Sequence, residues 1–246
     1  MKPLKPVIYS RIPASDPALI ARAAEFGIAD LHESLGAVAG RMSLMSSNMR
    51  PIAAGQRVVG PAVTSWNYPG DNLMIHVALN VASKGDVLVL TNGGTSQGAL
   101  WGDVACGFAV KKGVAATIVH GATRDTDAIR ELGYPVWATH VSVEHPEKRG
   151  PGAVNVPIVV DGVLVEPGDI IAADADGVLV IPRALLAYTV ERAEARAQAE
   201  VGYRKRIAAG EKLIDILGMQ AMVDAAGIEQ IDGTWLDSRG QDDAAR

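Results

Sequence analysis

Val87-Leu88-Val89-Leu90 is an unbroken apolar run. A strand wetted on one face alternates apolar with polar residues, whereas a strand without alternation is buried on both faces, as in a parallel sheet covered by helices. The neighbouring segments agree. Arg57 to Thr64 is short and β-branched, and reads as a strand. Asp71-Asn72 caps a helix through Met74, Ile75, Val77, Ala78 and Val81, which Gly85-Asp86 closes. After the run come a glycine-rich turn from Asn92 to Gly98, a helix from about Gly102 to Lys111, a second buried strand from Ala115 to Val119, and a helix that Asp125 opens and that runs to about Leu132. Strand and helix alternate, which predicts α/β layering.

The flanks differ. Ser15-Asp16-Pro17 reads as a helix start with Ser15 as N-cap, and Gly27 stops that helix. A second short helix is expected over Ala29 to Leu35, and Met42 to Ile52 reads as loop. Val136 to Pro182 is a series of short Val/Ile runs cut by Gly and Pro, so strands without helices. From Arg183 to about Ala209 the chain is helical with mixed charges, and a further helical piece is expected from Asp215 to Ala226. This predicts an α/β core with N-terminal helices over 1–182, a helical extension over 183–239, and a disordered polar tail over 240–246.

Composition excludes several functions. With 48% hydrophobic residues in 246, a sizeable core is available. The net charge of −5 leaves no basic surplus for a phosphate backbone, so no nucleic-acid partner is expected. Cys106 is the only cysteine, so no intrachain disulfide and no cysteine-based zinc site can form. That suits a reducing cytoplasm, the expected location. Met1 to Pro6 has no apolar stretch behind it and is not expected to be a signal peptide, and no apolar run is long enough for a membrane partner.

Gly93 to Asp127 carries the most chemistry. Glycines 93, 94, 98 and 102 lie between a buried strand and a helix, where backbone can approach a ligand and free N–H groups favour an anion. Asp103 starts one helix and Asp125 the next, with Arg124 adjoining. If both helices start on one side of the sheet, the three converge at the carboxyl ends of neighbouring strands, where α/β proteins bind ligands. Either aspartate alone is better explained as a helix-start carboxylate favoured by the dipole. An Arg beside them holds a fixed charge that must face an acid or an anionic ligand.

Gly102-Asp103, twenty residues, then Arg124-Asp125 resembles the D-x20-R-D motif of the class II pyruvate aldolases, the 4-hydroxy-4-methyl-2-oxoglutarate / 4-carboxy-4-hydroxy-2-oxoadipate aldolases of the RraA-like superfamily. Pro69-Gly70-Asp71-Asn72 with His76-Val77-Ala78, Pro135-Val136-Trp137, Val154-Asn155-Val156-Pro157-Ile158, Pro167-Gly168-Asp169 and Asp174-Ala175-Asp176-Gly177-Val178 extend the resemblance to about Ala29–Asp232. It implies a layered α/β/β/α fold of the swivelling, phosphohistidine-domain type, assembled as a trimer or dimer of trimers. It also implies metal-dependent cleavage of 4-hydroxy-2-oxo acids to pyruvate, with oxaloacetate decarboxylation as a side activity. Asp125 would bind Mg²⁺ or Mn²⁺ directly and Asp103 through water, in keeping with a cation that takes one or two carboxylates. Arg124 would stabilise the enolate oxygen, and the amides near Val104 and Ala105, beside Gly102, would hold the pyruvate carboxylate. Asp103 would relay the hydroxyl proton, and Glu200 would come from a neighbouring subunit.

The residues bear on this independently. None of the lysines lies inside an apolar strand run that would depress its pKa for a Schiff base. Glu200 is equally a solvated helix charge between Arg196 and Arg204. His76 reads as a wall or core histidine, His120 as a residue that can line the site, and Cys106 as a buried structural thiol. The loop from Glu144 to Gly152 departs from the family pattern, and its Lys148 and Arg149 are solvated charges or ligands for a distal carboxylate. The rival class is a non-catalytic regulator that binds an RNase, or a lyase on another oxo acid. A binding protein has no need of Asp103, Arg124 and Asp125 together.

Overall fold

A computed structural model of the chain describes residues 6–236. The elements in order are β1 (Val7–Ile8), α1 (Pro17–Ala23), α2 (Ile28–Leu35), α3 (Ala37–Ser43), β2 (Arg50–Pro51), β3 (Val58–Asn67), α4 (Leu73–Val81), β4 (Val87–Thr91), α5 (Asp103–Lys112), β5 (Ala116–Thr123), α6 (Thr126–Leu132), β6 (Val136–Val141), β7 (Gly152–Val154), β8 (Ile158–Val160), β9 (Val163–Val165), β10 (Ile170–Ala173), β11 (Val178–Ile181), α7 (Leu186–Ala208), α8 (Leu213–Ile216) and α9 (Gln220–Ala225). A 3-10 turn over Arg183–Leu185 leads into α7.

The first compact unit ends at Arg196. Its main sheet runs β1-β7-β3-β4-β5-β6-β2, with β3 to β6 mutually parallel. β4 is buried along its whole length, as the unbroken apolar run requires. β3 pairs with three strands, its end from Ser65 to Asn67 running antiparallel to β7. The first four residues of β3 pair antiparallel with β10, and Ala62 to Trp66 pair parallel with β4. β10 and β11 thereby turn away as a second β layer.

Three clusters fill the spaces between layers. Ile75, Leu79, Leu88, Leu90, Cys106, Val119 and Ile129 join α4–α6 to the main sheet. Val89, Ile118 and Trp137 meet Ile158, Val165, Ile171 and Val180 between the two β layers. Leu31, Leu35, Ile170, Leu179, Leu186 and Val190 seat α2 and the start of α7 on the outer face of β10–β11. The order is α/β/β/α, as expected.

Several local expectations are corrected. Asp16, not Ser15, caps α1, since its side chain accepts the Ala18 N–H at 2.9 Å. Within Met42–Ile52, Met42 and Ser43 end α3 and Arg50–Pro51 form β2. Gly40 lets α3 pack on α2, where a Cβ would lie 2.6 Å from the His32 carbonyl oxygen, a contact that local propensity does not encode. Asn72 occupies the N-cap of α4, but Asp71 supplies the bond to the Leu73 N–H at 2.8 Å. The Asp215–Ala226 helix is broken at Gly218, which adopts φ +66°. The tail expected at 240–246 lies outside the described residues.

The second unit begins at Ala197 and carries the rest of α7 with α8 and α9. Within it Arg206 pairs with Glu211 at 2.7 Å. Leu213, Met219, Met222, Ile228, Trp235 and Leu236 are exposed. No helix among the described residues is long and apolar enough to cross a membrane.

Cys106 is fully buried on α5, where Trp101 Nε1 donates to its Sγ. Burial pushes the thiol up to about 12. A disulfide thiol reagent at pH 8 should therefore not modify the native protein, and should titrate one thiol per chain after denaturation.

Candidate active site

A cleft of about 560 Å³ opens between α4 and α5. Asn72, Ile75, His76, Leu79 and Asn80 form the α4 wall, and Asp103, Val104, Ala105 and Phe108 the α5 wall. Ala99 to Gly102 lie between them, with Arg124, Pro146 and Lys148 completing the lining.

Strand register brings Gly102, Arg124 and Asp125 together, although of these Asp125 stands behind the cleft lining. Leu100 N–H donates to the Ala122 carbonyl at 2.8 Å, and Arg124 N–H to the Trp101 carbonyl at 3.0 Å. The segment leading into α5 is thus zipped along the end of β5. Gly102 comes to rest against the residues that follow β5. A Cβ on Gly102 would lie 2.7 Å from Asp125 Oδ2 and 3.5 Å from Arg124 Nε. Its backbone is extended, so proximity and not φ requires the glycine.

The two aspartates behave differently. Asp103 Oδ1 accepts the Val104 N–H at 2.7 Å, the local bond of a helix-start carboxylate. Asp125 occupies the N-cap of α6 but makes no capping bond. It adopts φ 56°, ψ 37°, a left-handed conformation that a non-glycine residue takes at a cost. Its carboxylate instead faces Arg124, with Nε at 3.2 Å from Oδ2. Helix capping therefore does not account for Asp125. Both carboxylates lie close enough to Cys106 to raise its thiol pKa further.

The first-turn amides of α5 have no acceptor within the helix. The first intrahelical bond is Cys106 N–H to the Gly102 carbonyl, so the amides of Val104 and Ala105 precede it. The Val104 amide is held by Asp103, and a ligand carboxylate would compete with that side chain for it.

The donor set fits a hard divalent cation of the expected kind. Among the described residues no three His, Cys, Asp or Glu gather to hold an ion unaided. Mg²⁺ takes one or two carboxylates and keeps its waters. Asp125 Oδ2 faces the space that a Gly102 Cβ would fill, and is not engaged in capping.

Other expectations are corrected by placement. Gly93, Gly94 and Gly98 do not line the cleft. Gly94 backs onto the His120 ring, where a Cβ would lie 2.4 Å from Nε2, and Gly98 onto Gly70. His120 is bonded to Thr91 Oγ1 at 3.0 Å and is not a cleft residue. Burial holds its imidazole below the usual range. His76 does form the wall, and burial, then the Lys148 ammonium, lower its pKa, which keeps it neutral at pH 7. Glu200 lies on α7 in the second unit, 3.3 Å from Arg204.

The sequence marked Asn72 as a cap and as part of the Pro69–Asn72 motif, but gave it no role in the site. Its Nδ2 donates to the Leu100 carbonyl, which leaves Oδ1 buried without a partner among the described residues. Asn80 and Phe108 were also missed. The spacing of Asn72, His76 and Asn80, four residues apart on one helix face, was the available signal.

Comparisons with known proteins agree with this arrangement. The family described as RraA-like, Aldolase/RraA, matches residues 28–180, a span that contains Gly102 to Asp125 and ends before Glu200. A Halalkalibacterium halodurans protein named "Putative 4-hydroxy-4-methyl-2-oxoglutarate aldolase" is 38% identical over 162 residues, 66% of this chain and 77% of its own. Protein DlpA of Legionella pneumophila is 33% identical over 192 residues, 76% of this chain but 30% of the relative. Among solved structures, RraAS2 of Streptomyces coelicolor, described as an unusual member of the RNase ES inhibitor RraA protein family, superposes with a TM-score of 0.70 at 29% identity, covering 78% of this chain and 100% of that one. Matched over more than half its length, the chain belongs to the Aldolase/RraA family.

Proposed function

We propose that this protein is a divalent-metal-dependent aldolase that cleaves 4-hydroxy-2-oxo acids, such as 4-hydroxy-4-methyl-2-oxoglutarate or 4-carboxy-4-hydroxy-2-oxoadipate, and releases pyruvate. The observation that carries this reading is the Asp125 carboxylate, held in a left-handed N-cap beside Arg124 and Gly102 without capping its helix. Inhibition of an RNase would require none of these.

In the reaction the C4 hydroxyl loses its proton, the C3–C4 bond breaks, and its electron pair becomes a pyruvate enolate that is protonated at C3. The N-terminus of α5 holds the carboxylate through the amides at Val104 and Ala105. Binding displaces Asp103 from the Val104 N–H, and the freed carboxylate serves as the proton relay. Arg124 presents its guanidinium to the oxygen on which charge grows. Asp125, with Asp103 through water, would hold Mg²⁺ or Mn²⁺, which supplies Lewis-acid withdrawal of charge from the 2-oxo group. Oxaloacetate decarboxylation passes through the same enolate and is the expected side activity.

Assembly belongs to the same proposal. The exposed apolar residues of the second unit suit packing on another copy, and we assign the protein a trimer or dimer of trimers in which Glu200 serves a neighbouring site. A small-molecule oxo acid and further copies of the chain are then its partners.

Arg124→Ala should lower kcat for pyruvate release on the order of 100-fold, the scale of a lost oxyanion donor. Arg124→Lys should recover little, since a point charge does not replace the planar fork. Gly102→Ala, which pushes on the Asp125 carboxylate, should cost a similar factor while the protein stays folded by circular dichroism. Near-normal kcat in the Arg124 variants would make that residue structural.

The shared site has its own test. Glu200→Ala and Asp125→Ala, each inactive alone, should regain partial activity after subunit exchange. A monomer by light scattering, or exchange without complementation, would return Glu200 to a surface role.

A further inference from the structure

Trp101 is the bulkiest residue in the floor of the cleft, and it is 1% exposed. A buried indole needs a partner for its N–H, a group that can only donate. Here Nε1 donates to Cys106 Sγ on α5 at 2.8 Å. The ring also stacks on Tyr134, with centroids 6.3 Å apart and planes inclined by 25°. Tyr134 is tied in turn to β5, since its hydroxyl lies 3.0 Å from Thr117 Oγ1. The indole is therefore held by α5 at its edge and by the chain beyond α6 at its face, within the cluster that seats both helices on the main sheet.

That ring fixes the backbone on either side of it. The Trp101 carbonyl accepts the Arg124 N–H at 3.0 Å and the Thr123 hydroxyl at 3.3 Å. Residues 101 and 123 form a parallel bridge. One residue further on, the Gly102 carbonyl accepts the Cys106 N–H at 3.0 Å. Cys106 thus closes a small loop, with its backbone on Gly102 and its sulfur on the Trp101 ring. The residue that holds Arg124 through its backbone is locked to α5 through its side chain. Two parts of the site come from different elements, because the amides of Val104 and Ala105 belong to α5 and Arg124 follows β5. They are joined at residue 101. Loss of the acceptor at Cys106 would leave a buried donor unpaired, which is costly enough to move the ring.

We propose that Trp101 is a positioning residue of the site, and that its indole N–H, bonded to Cys106, sets the placement of Arg124 against the α5 amides. This rests on the aldolase reading of the cleft and deepens it. The amides hold the substrate carboxylate from the start of the reaction. Arg124 meets charge that grows only as the C3–C4 bond breaks. A shift of residue 101 therefore leaves binding nearly intact and costs turnover.

The test removes the indole–sulfur bond in steps. Cys106→Ala should lower kcat for pyruvate release roughly tenfold, short of the hundredfold that a misplacement of about 1 Å can cost. KM should change little. Cys106→Ser restores an acceptor, with its own hydroxyl proton directed back to the Gly102 carbonyl, and should recover most of the loss. Trp101→Phe removes the donor and keeps a ring for Tyr134. It should lose kcat as Cys106→Ala does, and adding Cys106→Ala to it should cost much less than Cys106→Ala costs alone. Trp101→Phe carries the same expectation should Cys106→Ala not fold. Hydrogen exchange followed by mass spectrometry gives a readout without substrate. Peptides over 99–103 and 122–126 should exchange several-fold faster in Cys106→Ala, and in Trp101→Phe, while those over β4 keep the wild-type rate. Exchange unchanged at these two segments or raised equally in β4, an unchanged kcat, or a loss confined to KM would overturn the proposal and leave Trp101 and Cys106 as core packing. A wild type that releases no pyruvate from any 4-hydroxy-2-oxo acid would instead overturn the aldolase reading, and the exchange pattern with its rescue by Cys106→Ser would then decide whether Trp101 places Arg124.

Discussion

The division of β3 between two β layers is the constraint on which the rest of the molecule depends. The strand's first half belongs to β10 and its second half to β4, so one backbone ties the two β layers together. The parallel strands β4, β5 and β6 are then laid out in fixed register from β3. Parallel strands end on the same side of a sheet. The chain leaving β4 and the chain leaving β5 must therefore meet there, which is why Gly102 abuts Asp125 and Arg124 although more than twenty residues separate them. The helices that cover this face are held by the cluster around Leu88, Leu90, Cys106 and Ile129, so the α4–α5 cleft inherits its walls from the core.

The chemistry at that edge rests on an unequal use of two helix starts. Asp103 takes the ordinary local bond, and it holds the Val104 amide that a substrate carboxylate would want. Asp125 gives up its capping bond and accepts a left-handed backbone. Structural economy favours neither the strain nor the missing bond, and the proposed metal site gives both a use. In the proposed reaction the same competition that loads the substrate frees Asp103 to move a proton. Binding and proton transfer are then coupled through one amide.

Much of the core and of this pair was legible in the sequence. A strand buried on both faces shows as an unbroken apolar run, and the α/β alternation followed from Val87–Leu90 and its flanks. Asp103, Arg124 and Asp125 were visible because helix starts at strand ends are marked by residue type. Which of the two aspartates keeps a bond within its own helix start was not visible, because that depends on φ at residue 125 and on the absent Cβ at residue 102. The glycines at 93, 94 and 98 looked like an anion loop, but Gly94 and Gly98 serve close packing against His120 and Gly70, and Gly93 serves a left-handed turn. Lys148 could not be separated from Arg149 by pattern. Asp71, far away in sequence, fixes the loop by accepting the backbone N–H groups of Arg149 and Gly150, and Lys148 is the one of the two that lines the cleft.

The central claim is that the cleft runs pyruvate-forming cleavage with a divalent cation at Asp125. It is tested most directly by following pyruvate release from 4-hydroxy-4-methyl-2-oxoglutarate and related 4-hydroxy-2-oxo acids, by the purified protein, in EDTA and after addition of Mg²⁺ or Mn²⁺. A cation held by one carboxylate and waters exchanges readily. Release should cease in the chelator and return with either metal. Undiminished release after exhaustive chelation, or no release from any 4-hydroxy-2-oxo acid with metal present, would contradict the account.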